Sequence, residues 1–329
     1  MTAYARGVIA GPPHIVAHEA WFADAPPGFE WSFALAGGSV ALIAAAVLVA
    51  ALWRLVASRL PSPELPLRFL GRFAPWVPRL LAIHAGVSLL AQAARGTYLA
   101  PSLDLPDGAV GSALAIAEGL VGVWLITGFR VRGAAALLVA AGPLAMPFYG
   151  VIPILERMDL LGIALFLTIL PPADDPGGAV RVNGERVAPA LLALRLLVGG
   201  SLMVLAFTEK LARPELALEF LDRFPAFNIL QTVGFGVGDE AFIRIAGAVE
   251  LLFGLLIVSG ALPQLTVLLA GIPFNATLFF LGTEELIGHL PIYGAMLALL
   301  VYGSQPSLAR WTRWLPVRWG RRPVPEPQP

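Results

Sequence analysis

The chain contains no cysteine, and only one of its 22 basic residues, Lys210, is a lysine. Without cysteine the protein has no disulfide, thiolate metal site, cysteine-held iron–sulfur cluster or nucleophilic thiol. Charged residues make up 13% of the 329 residues, about half of their share in an ordinary soluble domain. The formal net charge is zero, so bulk charge gives no reason to expect a nucleic-acid partner.

Apolar residues are abundant instead. Hydrophobic residues make up 57% of the chain even without its 34 glycines, and the mean hydropathy is +0.77. A soluble globule with so few charges could not cover that much apolar surface, and intrinsic disorder requires low hydrophobicity with high charge. The composition therefore predicts an all-α fold, a polytopic transmembrane helical bundle.

Nine apolar runs supply the helices of this bundle. A helix needs about 20 residues to cross the ~30 Å hydrocarbon core of a bilayer. The fifth and ninth runs are shorter than that, so we expect them to borrow polar flanking residues or to lie inside the bundle. The nine runs are Phe33–Trp53, Trp76–Ala94, Ala109–Gly128, Gly133–Tyr149, Asp159–Leu170, Pro189–Thr208, Ala241–Gly260, Leu265–Gly282 and Leu290–Gly303.

Basic residues are distributed unevenly among the loops. If the C-terminus is cytoplasmic and the nine helices alternate in direction, fifteen of the 22 basic residues fall on the cytoplasmic side. Cytoplasmic loops of membrane proteins carry an excess of Lys and Arg. The near absence of lysine beside many arginines is typical of a GC-rich bacterial genome. The sequence thus predicts a multi-pass protein in the lipid bilayer of the bacterial inner membrane, with its N-terminus outside.

An internal duplication is also predicted. Glu118 and Glu250 each begin the pattern E-x-x-x-G-x-x-x-x-[ST]-G, and Arg79-Leu-Leu precedes the first as Arg195-Leu-Leu precedes the second. Repeated spacing is the signature of a duplicated unit, and two four-helix copies would share one orientation. The predicted organisation is an extracytoplasmic segment 1–31, an additional helix and loop 32–75, a first four-helix repeat 76–170, a cytoplasmic linker 171–188, a second repeat 189–304 and a basic cytoplasmic tail 305–329.

The second repeat carries a family resemblance. Arg195 is followed by a long apolar stretch and then by Lys210 and Pro214, and Glu250 begins a glycine-containing helix. On these residues, segment 190–303 resembles the DoxX-like integral membrane family. That family resembles the quinone-facing, DoxD-type subunit of thiosulfate:quinone oxidoreductase. The resemblance therefore implies membrane redox chemistry, quinone as the cofactor, and a redox partner in the membrane or the periplasm.

Polar residues of the second repeat form the candidate catalytic site. Glu250 lies at the middle of its run, where a charge is unfavourable by about 2.5–3.5 kcal/mol. Lys210 is expected to meet an acid on another helix, such as Glu285, and not its neighbour Glu209, because adjacent residues point in different directions on an α-helix. Glu285 and His289 are four residues apart and share a helix face, where they suit acid–base work near neutral pH.

The candidate catalytic residues are thus Lys210, Glu250, Glu285 and His289, on the extracytoplasmic side. No metal site is predicted, since a carboxylate and a histidine fall short of the three or four ligands required. The first repeat has Ala94 in place of the lysine and cannot build the same site. The candidate cofactor-binding residues near this site are Asn275, Glu284 and Tyr293.

Structural interpretations of the same residues stay open. Glu118 and Glu250 could each be a protonated side chain that hydrogen-bonds across a close helix contact beside a glycine, or each could belong to a proton relay. Glu285 and His289 suit the start of a helix, where acids meet the positive end of the dipole. His14 and His18 form half of a metal site or belong to an interfacial segment anchored by aromatic residues.

Three functions follow from these alternatives. The first is a quinone-associated redox component with one asymmetric site in the second repeat. The second is a small-solute or ion carrier in which Glu118 and Glu250 face each other at the repeat interface. The third is a non-catalytic scaffold that holds a partner enzyme at the membrane. The greater polarity of the second repeat favours the first function over the carrier.

Overall fold

The computed structural model describes residues 28–60, 65–175 and 177–312. Within these ranges the chain is almost entirely helical. The helices are α1 (Trp31–Leu35), α2 (Gly37–Arg59), α3 (Arg68–Gly71), α4 (Val77–Arg95), α5 (Ala109–Thr127), α6 (Val131–Tyr149), α7 (Val151–Leu155), α8 (Met158–Ile169), α9 (Gly184–Leu205), α10 (Pro214–Arg223), α11 (Ile229–Thr232), α12 (Asp239–Ser259), α13 (Pro263–Leu281), α14 (Thr283–Ser304) and α15 (Pro306–Thr312). A π-helical turn (Ala206–Leu211) continues α9, and 3-10 turns form at Ala74–Trp76 and Pro225–Phe227.

The predicted all-α fold is confirmed, and each of the nine apolar runs is helical. In the described part of the chain, seven helices are long and apolar enough to cross a membrane: α2, α4 with its preceding turn, α5, α6, α9 with its π turn, α12 and α14. They make this an integral, multi-pass membrane protein. The other two runs form the short α8, of 12 residues, and α13, of 19 residues with Pro273 inside. The ninth run extends to 22 residues, because its polar start continues the helix.

Four helices form the centre of the bundle. Helix α8, from the first half of the chain, packs along α9, the first long helix of the second half. Helix α14, from the second half, packs along α4, the first helix of the first repeat. Leu81, Phe166, Leu194 and Leu299 are among the buried residues that meet there. Helix α2 lies outside this core, where it packs along α12 and leaves most of its apolar side chains exposed. Such exposure suits contact with lipid acyl chains.

Glycines set the closest helix contacts, and they do so in the same way in both halves. A Cβ atom added to Gly122 on α5 would lie 2.8 Å from the carbonyl oxygen of Gly86 on α4. A Cβ atom added to Gly254 on α12 would lie 2.7 Å from the carbonyl oxygen of Gly199 on α9. Small residues let transmembrane backbones approach this closely. The two helix pairs are thus alike in contact, while their origin by duplication stays a prediction.

A short β-hairpin interrupts the first half, which the sequence patterns did not predict. Strands β1 (Thr97–Tyr98) and β2 (Ala100–Asp104) pair antiparallel between α4 and α5. Leu99, at the turn, has a φ of 58°, a conformation that non-glycine residues seldom adopt. Its backbone N–H donates to Glu118 Oε1 at 2.8 Å, so the hairpin supplies the partner that this buried carboxylate needs.

The linker between the halves is shorter than predicted. Helix α9 begins at Gly184, inside the expected linker 171–188, because the Asn183 side chain accepts a hydrogen bond from the backbone N–H of Glu185. A side-chain oxygen at this position satisfies one of the unpaired donors of the first helical turn. Residues 1–27 of the predicted N-terminal segment and residues 313–329 of the predicted basic tail lie outside the described residues.

Candidate functional site

A cavity of about 250 Å³ lies within the second half of the chain. Its walls come from α9 and the π turn, from α10 to α12, and from α13 and α14. All four candidate catalytic residues line it, although they are spread over 80 positions of the sequence. The polar lining residues are Glu209, Lys210, Glu250, Thr277, Glu285 and His289.

Lys210 and Glu250 form an ion pair on one side of the cavity. The Lys210 Nζ atom lies 3.1 Å from Glu250 Oε2 and 4.0 Å from Glu209 Oε2. The expected acid on another helix is therefore present, and it is Glu250. The prediction that Glu209 and Lys210 would diverge is wrong. They lie in a π turn, whose wider spiral reduces the angle between successive side chains, and both face the cavity.

Glu285 and His289 form the second polar group of the cavity. The His289 Nδ1 atom lies 3.1 Å from Glu285 Oε1, as expected for residues four apart on one helix. Both side chains are buried, with 1% and 4% of their surfaces exposed. The Phe274 ring meets the imidazole edge-on at a centroid distance of 5.1 Å. Glu285 and His289 thus form a buried carboxylate–imidazole pair against an aromatic ring.

The remaining walls are apolar and largely aromatic. Such walls exclude water, and they strengthen electrostatic interactions between the few polar groups that they enclose. The two polar pairs therefore lie in a mostly hydrophobic space. The large apolar lining residues are Leu202, Phe220, Phe227, Ile229, Phe242, Val249, Phe253 and Phe274.

Two of the three predicted cofactor-binding residues, Asn275 and Tyr293, are not among the residues that line the cavity. Asn275 is exposed, and its amide donates to the Gly271 carbonyl one turn earlier at 2.7 Å. It lies on the opposite side of α13 from the cavity-facing surface because neighbouring residues on a helix project about 100° apart. The Tyr293 hydroxyl donates to the Phe274 carbonyl at 2.9 Å, which ties α14 to the cavity wall without reaching the cavity. Glu284 lies in the first turn of α14, and its side chain is outside the described part.

Sequence reasoning missed Glu156, a carboxylate behind the cavity. It lies between α7 and α8 in the first half of the chain, beside Glu209. Burial, reinforced by the negative charge of Glu209, raises the pKa of Glu156 to about 7. A pattern within the second repeat could not indicate this residue, because only packing between the halves brings it close.

Arg157 also crosses from the first half to the site. Its guanidinium lies 3.2 Å from Asp159 Oδ2 and donates to the Gly288 carbonyl at 3.5 Å. Gly288 immediately precedes His289 on α14. The first half of the chain thus contributes a buried charged pair to the support of the second-half site.

The two motif glutamates have different surroundings. Glu250 lines the cavity and pairs with Lys210, whereas Glu118 is buried against the backbone of Leu99. The carrier hypothesis required the two carboxylates to face each other in one site. Only Glu250 lines this cavity, so the arrangement is asymmetric.

Whether His14 and His18 bind a metal stays a prediction. His14 and His18 fall outside the described residues. Within 28–60, 65–175 and 177–312, no three His, Asp or Glu side chains group in a way that could hold a metal ion.

Comparison with known proteins gives no relative for this chain. No protein-family model matches it, and no curated protein or solved structure is similar to it. The function must therefore be argued from the cavity.

Proposed function

We propose that this membrane protein binds a lipophilic small molecule of the quinone class in the cavity and exchanges protons with its head group. The observation that carries the proposal is the composition of the cavity. Two acid–base pairs, Lys210 with Glu250 and Glu285 with His289, line a space whose other walls are mainly aromatic and aliphatic. The space lies among helices able to cross a membrane.

A quinone head group suits such a space for three reasons. Its ring is flat and apolar and packs against aromatic side chains such as Phe253 and Phe274. Its carbonyl oxygens accept hydrogen bonds, and Lys210 and His289 are potential donors. Buried ionic groups inside a membrane protein are expensive to maintain, which favours a functional role for them.

The proton chemistry follows from the residues present. Reduction of a quinone to a quinol consumes two electrons and two protons. The Lys210 ammonium and the His289 ring, when it is protonated at Nε2, would hold the head group and donate protons to its oxygens, with the Glu250 and Glu285 carboxylates beside them. The electrons would come from a partner redox protein, the class of partner implied by the DoxX-like resemblance of residues 190–303. Membership of that family remains a prediction.

Binding of a short-chain quinone, with one isoprene unit, tests the proposal. The purified protein in lipid nanodiscs is titrated by isothermal calorimetry. Lys210→Met and His289→Ala should each weaken binding about tenfold or more, since a hydrogen bond to a charged group contributes roughly 1.5–3 kcal/mol. Asn275→Ala, which changes a polar residue outside the cavity, and Glu118→Gln, which changes the glutamate of the first half that corresponds to Glu250, should bind like wild type.

Melting temperatures of the same variants distinguish loss of the site from loss of the fold. A wild-type protein that binds no quinone would refute the proposal. Equal weakening in the Asn275→Ala control would refute the placement of the ligand in this cavity.

A further inference from the structure

The cavity is not closed on all sides by protein. Val249 on α12 and Pro273 and Ala276 on α13 line it, and each of them is exposed. Val249 has 40% of its surface exposed although it is next to the cavity residue Glu250. Helix α13 packs mainly against α14, and its contact with α12 is slighter. The cavity therefore opens sideways between α12 and α13.

The depth of this opening determines what it faces. Val249 lies at the middle of Asp239–Ser259, a helix long and apolar enough to span the membrane. The middle of a spanning helix lies in the hydrocarbon core, about 15 Å from either surface. An exposed side chain at that depth contacts acyl chains, so the opening leads to lipid and not to water.

The size of the cavity limits how much of a ligand it can hold. Cavities for drug-sized ligands occupy roughly 300–1,000 Å³. A space of about 250 Å³ has room for a single substituted ring and little more. The polar pairs lie within this space, and the apolar rim of Val249, Pro273 and Ala276 lies at the way out.

We propose that the ligand is an amphiphile with a long isoprenoid tail, whose head group lies in the cavity while its tail passes between α12 and α13 into the lipid. This inference rests on the proposed function and adds the ligand's tail and its route from the membrane. The tail is excluded from the cavity by volume, and the exposed apolar rim gives it a path that crosses no polar surface.

Tryptophan substitutions at the rim test the inference. Ala276→Trp and Val249→Trp place a large ring in the opening. Leu120→Trp is the control, because Leu120 is equally apolar and 65% exposed but lies on α5, away from the cavity. Affinities of each protein in nanodiscs are measured for a short-chain quinone and for a long-chain quinone with the same head group, with concentrations expressed per lipid.

We expect the rim variants to weaken long-chain binding about tenfold more than they weaken short-chain binding. Leu120→Trp should change neither affinity. Equal effects of the rim variants on both quinones, or no effect on either, would overturn the inference and leave the proposed function intact. Failure of the wild type to bind either quinone would refute the proposed function itself.

Discussion

Replacement of Gly254 by alanine tests how tightly the second half is packed. An added Cβ atom would lie 2.7 Å from the Gly199 carbonyl oxygen and 2.7 Å from Met203 Cγ. The side chain of Met203 can move, but the carbonyl belongs to the backbone of α9. The contact is closer by about 0.7 Å than the 3.4 Å of ordinary packing, so the two helices would have to separate.

The expected effect combines two opposing contributions. Overpacking of a close helix contact typically lowers the free energy of unfolding by about 1–3 kcal/mol. Alanine raises intrinsic helix stability by about 1 kcal/mol relative to glycine. We therefore expect Gly254→Ala to be less stable than wild type by up to about 2 kcal/mol. Gly122→Ala should lose a similar amount, since its Cβ would lie 2.8 Å from the Gly86 carbonyl oxygen.

The matched control is Gly119→Ala on α5, whose added Cβ atom would lie 3.7 Å from Ala93 Cβ. It gains helix propensity without a clash, so it should be as stable as wild type or slightly more stable. Stability is measured by reversible unfolding in mixed micelles with increasing SDS. If Gly254→Ala proves as stable as Gly119→Ala, then α9 and α12 do not approach as closely as the Gly199–Gly254 contact indicates.

Two further predictions concern charged residues. Lys210→Met should lower the free energy of unfolding by about 2 kcal/mol, which is less than for a fully buried pair because the Lys210 and Glu250 side chains are 16% and 18% exposed. Addition of Glu250→Gln should restore most of this loss, because it removes the carboxylate left without its lysine. A double variant no more stable than Lys210→Met would contradict this. The melting temperature of the wild type should fall as pH rises from about 4.5 to about 7, because Glu156 holds its proton more tightly in the folded state than in the unfolded chain. Glu156→Gln should reduce this fall, because glutamine has no proton to lose in this range. If the melting temperature of the variant falls as steeply as that of the wild type, Glu156 is not the group responsible.

The sequence by itself determined the class of fold. Each long apolar run in a lipid environment must satisfy its own backbone hydrogen bonds, and a helix does so locally, without reference to the rest of the chain. The pairing of Glu285 with His289 was predictable for the same reason, since residues four apart on a helix always share a face. The position of Glu250 inside an apolar run also identified it as a candidate, because charged residues are rare at that depth.

Only the tertiary structure decided which groups meet. The rotation of each helix about its axis and its depth beside its neighbours depend on packing between distant segments, such as the Gly199–Gly254 contact, and no local pattern fixes them. This packing pairs Lys210 with Glu250 and turns Asn275 away from the cavity. It also brings Glu156 from the first half of the chain beside the cavity residue Glu209, a proximity that depends on how the two halves pack.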